Sequence, residues 1–380
     1  MTSGLNPDEQ RPGTIAPAVR GALVLFLLYL FLIGVGFIEA GIAAMGGGFQ
    51  QALLESVSHP ISGLSAGILA TVLVQSSSLS TATIVGMVGA GTLPFPLAVP
   101  MVMGANIGTT VTSTLAALGS IRRTEEFRRA FSAATVHDFF NLLGVAVLLP
   151  LELTTGVLSR AAVMLTRLVH GADFGGGGVV ESPLRTVVKL PVRWLEGWTG
   201  EGRAAGFFLL LLGLALIFVA LGFITRNMRA LVAGSVERVI NRIIGRGGGL
   251  VGIFVGIGLT VAVQSSSITT SILVPLVASG VLTLRSAYPI TLGANVGTTI
   301  TALIASLAVL RPEGLTIALV HLLFNVAALS IVYPVRQIRM LPVRLAEALA
   351  ELATRRRRFV FIYAITVFLV APLVGFLLFR

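Results

Sequence analysis

Long apolar runs dominate this chain, and two of them are interrupted at the same point by the same polar residues. Runs such as Gly21 to Phe37, Phe207 to Phe223 and Phe359 to Phe379 approach the roughly twenty residues that cross a bilayer core. The pattern predicts complete crossings at about 18–45, 95–119, 128–150, 206–225, 286–309, 314–334 and 359–379. Between them, 61–90 and 250–280 split into halves of about fifteen residues, too short to cross. Each is read as a re-entrant helical hairpin with a polar tip. Val74-Gln75-Ser76-Ser77-Ser78 marks the first tip and Val263-Gln264-Ser265-Ser266-Ser267 the second.

The two tips belong to a duplication. At a constant offset of 189, Gly63 to Thr110 aligns with Gly252 to Thr299 and matches at 23 of 48 positions. Gly104-Ala105-Asn106-Ile107-Gly108-Thr109-Thr110 recurs as Gly293-Ala294-Asn295-Val296-Gly297-Thr298-Thr299, and the crossing that holds each copy is expected to be broken near its asparagine. Each unit holds an odd number of crossings, so the second lies upside down relative to the first. The expected fold is an all-α polytopic membrane protein of two inverted-topology repeats, each with a re-entrant helical hairpin and a broken transmembrane helix.

Composition agrees, with 55% hydrophobic residues, 11% charged residues and a mean hydropathy of +0.95. A soluble domain carries about a quarter charged residues. The net charge of +11 would suggest nucleic acid in a soluble protein, but here the arginines fall in blocks between apolar runs and report topology. They gather at 120–128, 226–248 and 335–358, whereas the connections at 91–95 and 310–313 carry only Arg311. The positive-inside rule therefore sets the amino terminus in the cytoplasm and the carboxyl terminus outside, in a cell inner membrane.

The domain reading is a cytoplasmic segment at 1–17, a first repeat at 18–150 and an extracytoplasmic loop at 151–204. That loop contains the glycine run Gly175 to Gly178 and an interfacial helix around Trp194 and Trp198. A second repeat follows at 205–334, then a cytoplasmic amphipathic segment at 335–358 and a terminal crossing at 359–380. No cysteine occurs, so disulfides and thiolate metal sites are excluded. No Walker A loop occurs either, so the chain has no ATPase of its own.

The chemistry lies in the tips. A helix beginning near Ser78 offers free N–H groups and a partial positive charge to an anion. The helix ending near Gln75 offers carbonyls suited to a small cation. Thr109 and Thr112, like Thr298 and Thr301, lie three apart on one helix face. From Gly63 to Ser120 there is no charged residue, and from Gly249 to Val309 only Arg285. An oxyanion held there by neutral donors meets a penalty of many kcal/mol, which co-bound cations offset.

One crossing further on, His137 and Asn141 match His321 and Asn325, each pair four apart on one face. They read as supports for the hairpin backbone. Asp138 is an acid in the first copy alone and reads as either a coupling residue or a partner of a neighbour. Gly63-Leu64-Ser65-Ala66-Gly67 fits a hydrolase elbow, but its counterpart Gly252-Ile253-Phe254-Val255-Gly256 keeps the glycines and loses the serine, as packing predicts and catalysis does not. The chain is not read as an enzyme.

The paired Gln-Ser-Ser-Ser and Gly-Ala-Asn-x-Gly-Thr-Thr motifs, with Phe127-Arg128-Arg129-Ala130-Phe131 running into Val136-His137-Asp138, resemble the type II sodium-dependent phosphate cotransporters, the solute carrier 34 group and its bacterial relatives. The resemblance covers about 20–375 and implies sodium-coupled import of inorganic phosphate by alternating access, with sodium co-transported and no organic cofactor. It implies a phosphate site of Gln75, Ser76, Ser77, Ser78, Ser265, Ser266 and Ser267, with Asn106 and Asn295 nearby. Gln264, Thr298 and Thr301 are the implied sodium ligands. A second set of Gln75, Thr109 and Thr112 follows by symmetry. The expected partners are phosphate, sodium and the lipid bilayer, with no nucleic acid and with a homodimer as the candidate assembly. A sodium-independent or exporting phosphate pathway with the same central site stays open, because sequence does not encode direction.

Overall fold

The computed structural model describes residues 17–170, 183–200, 202–243, 249–307, 309 and 311–380, and among these every regular element is helical. The segment 1–16, the glycine run Gly175 to Gly178 and Arg246 lie outside the described residues, as do the side chains of Arg226, Arg229, Arg238 and Arg242. Among the described residues, seven helical segments are long and apolar enough to cross a membrane, and they match the seven crossings expected from hydropathy.

The first unit comprises α1 (Pro17–Ala44), α2 (Gly47–Ser56), α3 (Pro60–Val74), α4 (Ser77–Ala90), α5 (Phe95–Gly108), α6 (Val111–Ala117) and α7 (Thr124–Thr155). Two amphipathic helices, α8 (Val157–His170) and α9 (Pro183–Thr199), connect it to the second unit. That unit comprises α10 (Arg203–Ile243), α11 (Leu250–Val263), α12 (Ser266–Ala278), α13 (Leu284–Leu307) and α14 (Pro312–Val332). An amphipathic α15 (Arg336–Arg355) and a terminal span follow. The span consists of α16 (Arg358–Ile365), a π turn at Thr366–Val370 and α17 (Ala371–Phe379).

Four boundaries differ from the hydropathy reading. α10 continues helically to Ile243, so much of the expected 226–248 loop is helix; the end of the apolar run is not the end of the helix. α2 and α8 are additional helices, the latter ordered by the Glu152 carboxylate, which accepts from the amides of Leu158 at 2.7 Å and Ser159 at 3.2 Å. An acidic side chain on a helix N-terminus supplies the missing acceptors and complements the dipole. The second copy of the interrupted crossing is not interrupted, since α13 runs unbroken through Asn295 while its counterpart changes from α5 to α6 at Thr109 and Thr110. Those threonines back-bond to carbonyls three and four residues earlier, as do Thr298 and Thr299, so local hydrogen bonding does not explain the difference.

The duplication extends to packing. α3 lies against α5 and α11 against α13 through equivalent glycines. A Cβ on Gly67 would overlap the Met101 carbonyl oxygen, and one on Gly256 the Ile290 carbonyl oxygen, at the same offset of 189. Backbones this close leave no room for any other residue, which is the packing role the sequence assigned to those glycines. The first helices of the two units also pack together, with Gly34 against Gly213 and Gly41 against Gly206. As numbers rise on α1 they fall on α10, so these corresponding helices run antiparallel. Ser65 is buried, and Gly375 of the terminal span packs over its hydroxyl.

Candidate functional site

Two residues outside glycine adopt positive φ among the described residues, and they are Gln75 (φ 54°) and Gln264 (φ 56°). Each ends its helix in the left-handed region, and the next residue, Ser76 or Ser265, is extended. A left-handed side-chain-bearing residue costs about 1–2 kcal/mol, a local strain that the sequence places twice at equivalent sites. The break leaves carbonyls at the ends of α3 and α11 and first-turn amides of α4 and α12 without helical partners.

Both breaks open onto one cavity of about 620 Å³. Its walls carry Gln75, Ser76, Leu79 and Thr112 from the first unit, and Gln264, Ser265, Ser267, Ile268, Ser271 and Ile272 from the second, with Gly222 beside them. No charged side chain lines it among the described residues. Ser77, Ser78 and Ser266 are instead buried behind the tips, where the carbonyls of Ser77 and Ser266 accept from Thr81 at 2.8 Å and Thr270 at 3.0 Å. A further bridge, Ser113 Oγ to Thr270 Oγ1 at 2.9 Å, ties α6 to α12.

The two glutamines differ. Gln264 is 7% exposed, donates to the Val261 carbonyl at 2.6 Å and accepts at Oε1 from Thr301 Oγ1 at 3.0 Å. Thr298 is buried and donates to the Ala294 carbonyl. Gln75 is exposed, Thr109 is buried and donates to the Ala105 carbonyl, and the buried Thr112 Oγ1 has no protein partner among the described residues. The second copy thus holds its glutamine and threonine together, and the first does not.

Asn106 and Asn295 do not line the cavity; they form a buried polar cluster between the units. Asn295 Nδ2 donates to Asn141 Oδ1 at 2.8 Å, and Asn141 Nδ2 donates to the Asn106 carbonyl at 2.7 Å. His137, on the same face of α7 as Asn141, is buried, and neither of its ring nitrogens has a hydrogen-bond partner among the described residues. On α14, Asn325 Nδ2 and His321 Nε2 each lie 3.4 Å from Asn106 Oδ1. Asn141 therefore braces Asn295, and His321 with Asn325 braces Asn106.

Asp138 lies at this level of α7, fully buried, and its Oδ2 accepts from Tyr363 Oη of α16 at 2.7 Å. Phe131 and Phe368 pack edge-on against the Tyr363 ring. The Asp138 to Tyr363 pair was not foreseen, because its members lie 225 residues apart. The spacing of Ser271 four residues after Ser267 was a usable signal for a common helix face; Gly222 offered none. We expect Asp138→Asn to keep its amide oxygen on Tyr363 and its melting temperature near wild type, while changing how uptake responds to pH or voltage. Profiles that superimpose on wild type would make Asp138 an anchor for the terminal span only.

Span-length helices around a cavity without charged side chains, at paired helix breaks, define a polytopic membrane protein. The profile of the Na+/Pi-cotransporter family matches residues 30–174 and 216–341. The chain belongs to that family. It is 35% identical to sodium-dependent phosphate transport protein 2A of Ovis aries, over 96% of this chain and 70% of the relative. Identity is 34% to protein 2A of Rattus norvegicus, over 94% of this chain and 66% of the relative. To protein 2B of Homo sapiens it is 33%, over 94% and 65%. The chain thus spans about two-thirds of the length of these relatives. No solved structure matches it.

Proposed function

We propose that this protein is a sodium-coupled secondary transporter that imports inorganic phosphate by alternating access. The observation that carries the reading is the shared uncharged cavity at which Gln75 and Gln264 both break their helices. Phosphate sits against the first-turn amides of α4 and α12 and the hydroxyls of Ser76, Ser265 and Ser267. These donors suit an oxyanion by partial charge and hydrogen bonding. Ser77, Ser78 and Ser266 act from behind by starting the helices, and Asn106 and Asn295, with His137, Asn141, His321 and Asn325, hold the two units in register.

Sodium is substrate as well. The Gln264 Oε1 and Thr301 Oγ1 pair, beside the carbonyl end of α11, offers hard oxygen ligands, and Thr298 lies one turn away. The corresponding set of Gln75, Thr109 and Thr112 is looser, which supports one firmly held sodium at the second tip. A cation there offsets the cost of bringing an anion into a site without fixed charge.

Antiparallel packing of α1 on α10 supports reading the units, 18–150 and 205–334, as inverted repeats, and the short lengths of α3, α4, α11 and α12 support re-entrant hairpins. Such repeats permit one bundle to rock or slide against the other around a central site. The arginine blocks support a cytoplasmic amino terminus, an extracytoplasmic carboxyl terminus and a cytoplasmic α15. The proposed assembly is a homodimer.

Uptake of labelled phosphate into liposomes decides the matter. Accumulation should follow an inward sodium gradient and collapse when potassium replaces sodium; equal uptake in both would overturn the coupling. Gln264→Gly should retain the turn, because glycine adopts φ near 56° without strain, yet raise the sodium requirement roughly tenfold, about the loss of one ligand to a charged group. Phosphate affinity at saturating sodium should shift less. Identical losses for both ions would remove the sodium assignment.

A further inference from the structure

A second cavity, of about 470 Å³, opens at the rim of the bundle away from the serine tips. Arg285, Arg336 and Arg339 line it together with Tyr288, Tyr333 and Gly249, and no acidic residue does among the described residues. None of the three arginines forms an ion pair among the described residues. Arg339 is steered by the Tyr333 ring, with Cζ 5.0 Å from the ring centroid. Two helices begin here, α11 after Gly249 and α15 after Val335, and neither has a side-chain cap. Tyr288 is 2% exposed and lines the cavity, yet its hydroxyl has no protein hydrogen-bond partner among the described residues.

A buried hydroxyl left unbonded costs about 1–3 kcal/mol, and three unpaired guanidinium groups around one concavity repel each other. Both penalties vanish if an anion with several acceptor oxygens occupies the space. Arginine forks, helix N-termini and a single hydroxyl donor match the tetrahedral oxygens of a phosphate group. We infer that this rim cavity is a second phosphate-group site, distinct from the central one and absent from the first repeat. At the offset of 189, Arg285 and Tyr288 correspond to Pro96 and Val99, which carry no donor there. The chemistry is shared by two sources, an anionic phospholipid headgroup and free inorganic phosphate. α15 exposes Leu341, Leu345 and Leu352, a face suited to acyl chains next to the arginines.

The test uses the full chain purified in detergent. Native mass spectrometry with dioleoylphosphatidylglycerol, and with dioleoylphosphatidylcholine as the zwitterionic control, reads lipid retention; equilibrium binding of labelled inorganic phosphate reads the free ion. Arg339→Gln and Tyr288→Phe should each weaken retention of the bound species roughly tenfold, the loss of one charge-assisted hydrogen bond. Loss of phosphatidylglycerol alone identifies the headgroup as occupant. Loss of phosphate binding alone, with central-site uptake intact, identifies the free ion. Arg336→Gln, at an exposed rim position, carries the same readout should the buried Tyr288 or the half-buried Arg339 substitution prevent folding. Unchanged binding of both probes in a folded Arg336→Gln and Arg339→Gln pair overturns the proposal.

Discussion

Gly256→Ala will leave little folded protein, whereas Gly258→Ala, two residues along the same helix, will be tolerated or mildly stabilising. The added methyl at Gly256 meets the Ile290 carbonyl and the Ala294 amide, which are backbone atoms and cannot turn aside. A Cβ on Gly258 meets nothing within 4 Å. Overpacking of this kind costs about 1–3 kcal/mol even when side chains yield, and more when backbone must move. At Gly258 the exchange removes about 1 kcal/mol of helix penalty. Gly67→Ala should repeat the loss in the first unit, because its Cβ meets the Met101 carbonyl in the same way. Melting temperature and monodisperse yield in detergent measure both effects. Equal stability of the Gly256 and Gly258 variants would show that α11 and α13 do not approach as described.

Ser265→Asp will abolish phosphate uptake and Ser265→Ala will only weaken it. Ser265 lines the central cavity and sets the start of α12. A carboxylate there faces the incoming anion, and two unit charges about 4 Å apart repel by about 4 kcal/mol at an effective dielectric near 20, close to a thousandfold in affinity. Alanine removes one donor to a charged ligand, a loss of about 1.5–3 kcal/mol, or tenfold to a hundredfold. Ser76→Asp at the equivalent tip should act alike. Affinity measured at saturating sodium isolates the anion term. An aspartate variant that transports within twofold of wild type would remove phosphate from this cavity.

The seven span-length helices, the two helix breaks and the packing glycines were legible in the sequence, because hydropathy and helix-ending chemistry act over a few turns. The tips were the clearest case: Gln75 and Gln264 do end their helices, and the following serines do begin the next ones. The second interruption was not legible, since identical Gly-Ala-Asn-x-Gly-Thr-Thr residues form a broken helix in one copy and a continuous one in the other. Nor was the route of α10 beyond the apolar run, where polarity was mistaken for a loop. Asn106 and Asn295 show the same limit in the site. Their motif marks them as special, but only their partners, up to 219 residues away, place them in a brace instead of on the cavity wall.

What the chain determined by itself is an uncharged, duplicated and strained interior within apolar spans, since composition and backbone preference are properties of short segments. Tertiary structure alone decided how each copy of a polar pair is partnered. Gln264 is held by Thr301 while Gln75 is exposed, and Asp138 is engaged by a tyrosine with no counterpart in the second unit. The physical reason is that a hydrogen bond between distant helices depends on how whole helices pack, and near-identical motifs enter unlike surroundings once the terminal span docks on one unit and α10 borders the cavity.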